Sequence, residues 1–443
     1  MSKSIVLLST NDHGGAGELS FRITRALREL GNEALLLVKH KLKNDRFVIQ
    51  LPEAVQPSYS LTRRVLRKVD NKARVSIAWF IKQGRYSEIT ILRTNPNFYF
   101  FNKDENISLI DTDSIIKAIP FKPDLIIVGW VSEFINTRNM QQLMSATKAP
   151  LYWLTTDMAP LTGGCHYAWN CLGYTSDCAN CPAILTEELK QTAKRNLALK
   201  ISHIQASNIQ VLAGSEWCRR QAAASTLFRS QPAIQVLNGP IDQNIFNNRC
   251  RDIAKKVFSV DATKKLIFTG STFSHEKRKG IEYLVIALQQ LYKRMTIVER
   301  SNVQILVAGN HVLENELIKR IPFEIVPFDF IKDTLLLSLA YQAADLFVCS
   351  SIEDSGPMMV TEALACGTPV VGFDLGFTSD IVEHGVNGFR VPVENTELLT
   401  EYMHKVLCLS KDESGQFSRN AIQAINDKAS LQQLKKVINS LLN

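Results

Sequence analysis

Short apolar runs alternate along the chain with longer stretches in which apolar residues return every three or four positions. Residues 4–9 form the first run, apolar and β-branched, and read as a strand. Asn11-Asp12-His13-Gly14-Gly15-Ala16-Gly17 reads as a loop. Leu19, Ile23, Ala26, Leu27 and Leu30 then recur at helical spacing. Gly31 stands where a helix-terminating glycine belongs, and residues 34–38 are the next strand. Residues 125–128, 151–154 and 210–213 predict further strands. The alternation restarts near Lys265, with strands at 266–269, 303–308, 346–349 and 370–373. Helices are predicted at 281–291, 335–343 and 358–366. Strand and helix in strict alternation imply parallel, doubly wound sheets. Two such series predict an α/β protein with two Rossmann-like domains facing a central cleft. Ligands of such sheets sit beyond the carboxyl ends of the strands.

The length of 443 residues suits two or three domains, and 45% hydrophobic with 21% charged residues is ordinary for a globular chain. The net charge of +8 permits an anionic ligand or membrane surface, and no nucleic-acid-binding signature accompanies it. The first apolar run is too short for a signal peptide, and no run approaches the roughly 18–20 residues of a membrane span. A cytoplasmic protein is expected. Its nine cysteines should then be reduced, so clustered ones point to metal.

The densest chemistry lies in SIEDSGPMMVTEALACGTPVVGF, residues 351–373. The preceding strand delivers it to the carboxyl edge of the second sheet, and the N-terminus of the next helix lies there. Free N–H groups and the helix dipole favour an anion at that end. Gly356 allows close backbone approach, and Pro357 suits a first helical turn. Glu362, a turn further on, is placed to accept hydrogen bonds from a vicinal diol such as a ribose. Asp354 is placed to bind hydroxyls deeper in the cleft. Taken singly, Asp354 reads equally well as a helix cap and Glu362 as a solvated helix residue.

The order of features resembles the donor-binding signature of glycosyltransferase family 4, retaining enzymes of the GT-B fold. Asp354 and Glu362 stand at its two acidic positions, and Ala363 to Val371 match the segment that follows. Lys277-Arg278-Lys279-Gly280 after Thr269-Gly270 is similar to the family's phosphate loop, with Ser271 where an Arg is common. Phe377 and Ser379 replace a usual Gly and Pro. The resemblance implies donor contacts from Gly15, Gly270, Arg278, Lys279, Gly309, Gly356, Met358, Met359 and Glu362. It implies catalytic roles for Asp354, Lys279, Glu362 and Asp157. Arg278, Lys279 and N–H groups near Met358 would carry the diphosphate charge without a catalytic divalent ion. Gly14-Gly15-Ala16-Gly17 nearly fits a dinucleotide fingerprint, but Lys39 and His40 stand where that motif needs an acid. The substrate expected is a nucleotide-diphosphate sugar, and the acceptor a glycan or lipid-linked glycan of bacterial surface polysaccharide or lipopolysaccharide synthesis. A sugar-nucleotide epimerase and a degenerate transferase serving as a scaffold are the alternatives.

Cys165-x5-Cys171-x6-Cys178-x2-Cys181 puts four thiols in one short segment. Four sulfurs would close a tetrahedral structural zinc site, with His166 an alternative ligand and iron–sulfur binding open. The same segment is similar to one in a surface-polysaccharide branch of the family, where many relatives carry a His at the position of Thr156. Residues 61–85 carry eight basic residues and one acid, with Leu61, Val65, Val69, Ala73 and Ile77 four apart. That pattern suits a basic amphipathic helix. Peripheral contact with the inner face of the cytoplasmic membrane is one reading, packing on its own domain the other. The expected domains are 1–236 with the cysteine insertion 157–183, then 237–420 for the nucleotide-sugar, hinged near Asn238-Gly239-Pro240. A helical tail, 421–443, packs back on the first domain.

Overall fold

The computed structural model describes residues 2–52, 92–101, 104–271 and 276–442. The basic stretch 61–85 lies outside the described residues.

Two six-stranded parallel sheets form the frame. The first comprises β1 (Ser4–Asn11), β2 (Glu33–His40), β3 (Val48–Gln50), β4 (Leu125–Val128), β5 (Leu151–Thr155) and β6 (Gln210–Ala213), in the order β3-β2-β1-β4-β5-β6. The second comprises β7 (Lys265–Gly270), β8 (Val303–Ala308), β9 (Glu324–Phe328), β10 (Leu346–Cys349), β11 (Val370–Phe373) and β12 (Gly388–Val391), in the order β12-β11-β10-β7-β8-β9. Both orders are the Rossmann arrangement, reversing direction between β1 and β4 and between β7 and β10. The central strands are apolar on both faces because helices cover both, so their sequences read as continuous runs. Each sheet accordingly carries one apolar core on either face.

The segment 11–17 corrects the loop expected there. A helix already begins at Gly14 and runs to Glu29, so the turn after β1 is only two residues long. Gly17 is what permits this: a Cβ there would lie 2.6 Å from the Asn11 carbonyl oxygen. The tail packs back on the first domain as expected, but only from Leu431 onward rather than from residue 421. One helix spans Lys411–Lys428 and places Ala421, Ala424 and Ile425 in the core of the second domain. The chain crosses back at Ala429, whose carbonyl accepts from Ile241 N–H at 3.1 Å, so both crossings lie side by side. The helix Leu431–Leu442 then buries Leu434, Val437, Ile438 and Leu441 in the core of the first domain. No helix among the described residues is long and apolar enough to cross a membrane.

Gly17→Ala should lower stability by about 1–3 kcal/mol, since helix and strand must separate to admit the methyl. Urea midpoints of the two proteins check this, and an equal midpoint would remove close approach as the reason for the glycine.

Candidate functional site

The second sheet's switch point builds the site. β10 ends at Cys349, and Ser350–Gly356 turn across its carboxyl edge into the helix Met358–Ala365. Beside it, the chain after β7 forms a 3-10 turn, Lys277–Lys279, closed by Gly280 in the left-handed region at φ +64°. Gly280 has to be glycine, because a Cβ would sit 1.9 Å from the Ser350 carbonyl oxygen. Ile352 N–H donates to the Arg278 carbonyl at 2.8 Å, and Ser350 Oγ to that of Lys279 at 3.0 Å. The two loops are thereby locked together.

That lock sets a triad. Asp354 Oδ2 accepts from Lys279 Nζ at 2.6 Å and Arg278 Nη1 at 3.0 Å, while Oδ1 accepts from Gly356 N–H at 3.2 Å. Burial alone would raise the Asp354 carboxyl, but Lys279 and Arg278 outweigh it and hold it below its ordinary range. Burial likewise works against the Arg278 charge, and Asp354 more than restores it. Ser271 Oγ and Arg278 Nε, both buried, have no hydrogen-bond partner among the described residues. The N-terminal turn of the helix at Met358 and Met359 completes a concentration of donors suited to an anion. Met359 lies against Gly270, and Gly309 follows β8, donating its N–H to the Phe328 carbonyl at 3.1 Å. Phe377 is buried with its ring against Gly356, which fixes the turn carrying Asp354.

Glu362 is 3% exposed, and both its oxygens are occupied by protein. Oε1 accepts from Arg22 Nη2 at 2.7 Å and Oε2 from the Tyr341 hydroxyl at 2.9 Å. Arg22 projects from the first domain's helix Gly14–Glu29, is braced by Glu18 at 3.0 Å, and leaves Nη1 buried without a partner among the described residues. Sequence reasoning missed Arg22, Tyr341 and Arg25, which pairs with Asp242. Glu18, Arg22, Arg25 and Glu29 share one helix face, a charged stripe that resembles an ordinary solvated surface.

Further contacts close the cleft. Ser355 Oγ donates to the Thr156 carbonyl, and Ser215 Oγ to the Ser355 carbonyl at 2.5 Å. Glu216 N–H donates to Asp380 at 2.5 Å and Trp169 N–H to Glu353 at 3.2 Å. The Arg278 guanidinium lies 4.6 Å from the centre of the Tyr167 ring. Tyr167 and Trp169 belong to the cysteine-rich segment, which thus meets the site directly, at Arg278 and Glu353.

In the first domain, a cavity of about 200 Å³ opens beyond β4 and β5, with Phe101, Trp130, Ser132, Thr156, Asp157 and His166 among its lining. Asp157 Oδ2 faces His166 Nδ1 at 2.6 Å and Oδ1 accepts from Ala159 N–H at 2.8 Å. With Nδ1–H given to the carboxylate, Nε2 accepts from the Ser132 hydroxyl at 2.8 Å. Phe101 stands edge-on to the imidazole, and the Trp130 ring is tilted against it at 57°. Gly15 is exposed with open space around it. Cys165, Cys171, Cys178 and Cys181 line a second cavity of about 20 Å³, and none forms a disulfide. Among the described residues, Glu299, His404 and Cys408 are the group whose ligand atoms come within 4.8 Å of one another. No three of the four sulfurs come that close to one another.

Two parallel Rossmann-like domains with facing switch points define the GT-B class of fold. Solved structures of that class match the whole chain. Sucrose-phosphate synthase from Thermosynechococcus elongatus has a TM-score of 0.60 at 15% identity, covering 99% of this chain and 98% of its own. Anabaena Alr3699/HepE in complex with UDP and glucose has 0.59 at 16%, covering 99% of each. Residues 263–408, which hold the Asp354 triad and Glu362, match the family model for Glycosyl transferases group 1. An uncharacterized glycosyltransferase of Methanocaldococcus jannaschii is 30% identical over 152 residues, 33% of this chain and 36% of that protein. N-acetyl-alpha-D-glucosaminyl L-malate synthase of Bacillus anthracis is 26% identical over 191 residues, 42% of this chain and 47% of that protein. The matched stretch thus spans less than half of either relative.

Burial pushes Glu353 up to about 7 and Asp380 up to about 6. Both carboxyls sit on the closed seam. Each is raised in the fold, so between its ordinary value and the shifted one the unfolded chain binds fewer protons. Stability therefore falls as pH rises from about 4 to about 7, and these two groups add no slope above that. Glu353→Gln should flatten its share of this decline in denaturant midpoints read across the window. An unchanged slope would mean that Glu353 titrates as an ordinary solvated acid.

Proposed function

We propose that the chain is a retaining glycosyltransferase that moves a sugar from a nucleoside-diphosphate sugar to a hydroxyl of a glycan acceptor, in surface-polysaccharide synthesis. The observation that carries this is the triad of Arg278, Lys279 and Asp354 at the second sheet's switch point. Two cations and a helix N-terminus converge there, within the stretch that matches the transferase family model.

In the reaction proposed, the diphosphate takes over Arg278 and Lys279 from Asp354, joined by Ser271 and the N–H groups at Met358 and Met359. These donors stabilise the charge that grows as the glycosidic bond breaks, the role a divalent ion otherwise serves. Asp354, freed from its salt bridges, accepts from hydroxyls of the donor sugar. Glu362 accepts from the ribose diol once Arg22 withdraws, with Tyr341 holding the carboxylate in place. The cavity at Trp130 and Phe101 suits a sugar acceptor, since aromatic faces cover pyranose C–H groups while Asp157 and His166 address hydroxyls. Bond formation on the face that the diphosphate leaves would retain the anomeric configuration.

Thermal melting with UDP-, GDP-, ADP- and CMP-sugars tests the donor. One nucleotide family should stabilise the protein, by about 2.7 kcal/mol at a hundredfold excess over Kd. Lys279→Ala should abolish the shift. A product whose anomeric configuration differs from the donor's would reject retention. No shift with any nucleotide at millimolar concentration would reject the transferase and favour a scaffold.

A further inference from the structure

The segment between Thr162 and Ile184 has an unusual burden for its length. Trp169, Cys178 and Asn180 all adopt left-handed backbone at φ 52–54° without being glycine. Such a loop needs strong tertiary restraint; Ala168, Tyr174, Ala183 and Ile184 anchor it in the first domain's core. It also contributes four cysteines, three of them buried, around a single cavity of about 20 Å³. That volume admits one ion or one water.

The backbone turns the sulfurs toward one cavity and aims an N–H at one of them. Gly173 N–H donates to Cys171 Sγ at 3.4 Å, two residues on from the cysteine. Ile184 N–H donates to the Cys181 carbonyl at 3.2 Å, and Cys178 N–H to that of Gly173 at 2.9 Å, which folds the chain back around the sulfurs. N–H groups aimed at sulfur stabilise its negative form, and sulfur takes that form in a buried site when a cation shares it. The nearest ammonium, Lys200, is spent on the Ala159 and Thr162 carbonyls at 2.8 and 2.9 Å. A cation from outside the chain is the complement that remains.

We propose that Cys165, Cys171, Cys178 and Cys181 bind one zinc ion as a structural four-sulfur site, and that this ion sets the loop for its contact with the donor site. Binding draws the sulfurs in to bonds of about 2.3 Å and releases the thiol protons to solvent. Cys165 immediately precedes His166, which holds Asp157. Tyr167 lies beneath Arg278, and Trp169 donates to Glu353. One ion thus fixes the bases of three contacts, one in the acceptor-side cavity and two across the cleft. The inference does not need the chain to be a transferase, because its first readout is metal content.

Metal analysis of the full chain, purified without chelator, should find one zinc per molecule. Cobalt substitution should give the strong sulfur-to-cobalt absorption of a tetrahedral thiolate site. Cys178→Ser and Cys181→Ser should each lose the metal. Cys408→Ser, which dismantles the group with Glu299 and His404, should keep it. Because the serine variants could misfold, the wild-type chain is also stripped with a chelator and reloaded with zinc. Thermal stability should drop and return, and limited proteolysis should cut within 162–184 only in the stripped form. A metal-free protein whose four thiols react freely in the native state would overturn the proposal. So would zinc lost with Cys408, or an iron–sulfur chromophore.

Discussion

A carboxylate buried between two cations governs the second domain's working edge. Asp354 is 8% exposed, and without Lys279 and Arg278 its charge would be costly there. The pairing pins the loop after β10 to the loop after β7, and Gly280 makes that approach sterically possible. The helix Met358–Ala365 inherits its position from this junction, and with it Glu362. The cations of the triad are themselves the groups that a diphosphate would want. The same interaction that orders the two loops therefore holds two cations side by side, with their side chains already restricted.

A related economy operates across the cleft. Arg22 of the first domain occupies the carboxylate of Glu362, and Ser355, Glu353 and Asp380 each engage backbone of the opposite domain. Breaking a buried pair by removing one partner leaves an uncompensated charge and is costly, whereas exchanging one partner for another need not be. A ribose diol reaching Glu362 would replace hydrogen bonds as it displaces the guanidinium, while Arg22 keeps Glu18. The two chain crossings at Leu237–Ile241 and Ala429 lie side by side, so the contacts across the cleft are what fix one domain against the other.

The central strands were plain in the sequence because each is buried on both faces and has no polar position to interrupt it. The strands that escaped the apolar pattern, β3, β9 and β12, are sheet edges. β3 is three residues long, and β9, Glu-Ile-Val-Pro-Phe, carries an exposed glutamate and a proline that a central strand would exclude. The start of the first helix was misread because Gly14 to Gly17 look like loop glycines, whereas one of them serves contact between helix and strand. At the site, Asp354, Lys279 and Arg278 were legible as motif members, yet their mutual pairing was not. Pairing depends on how two loops more than seventy residues apart meet at the switch point. Arg22 was invisible for a stronger reason: its partner is 340 residues away.

The cysteine segment is where local and global signals part. Its spacing announces a ligand set, but the value of the segment lies in the residues between the thiols. Tyr167 and Trp169 have no periodicity and no motif, and their partners Arg278 and Glu353 lie in the other domain. A loop with several left-handed residues cannot hold two aromatic side chains against a charged site by propensity. It needs a restraint whose strength does not depend on the cleft being shut, or opening would dissolve the surface that closing requires. A cross-link confined to the first domain meets that condition, and the four sulfurs, all within that domain, are the groups able to supply it.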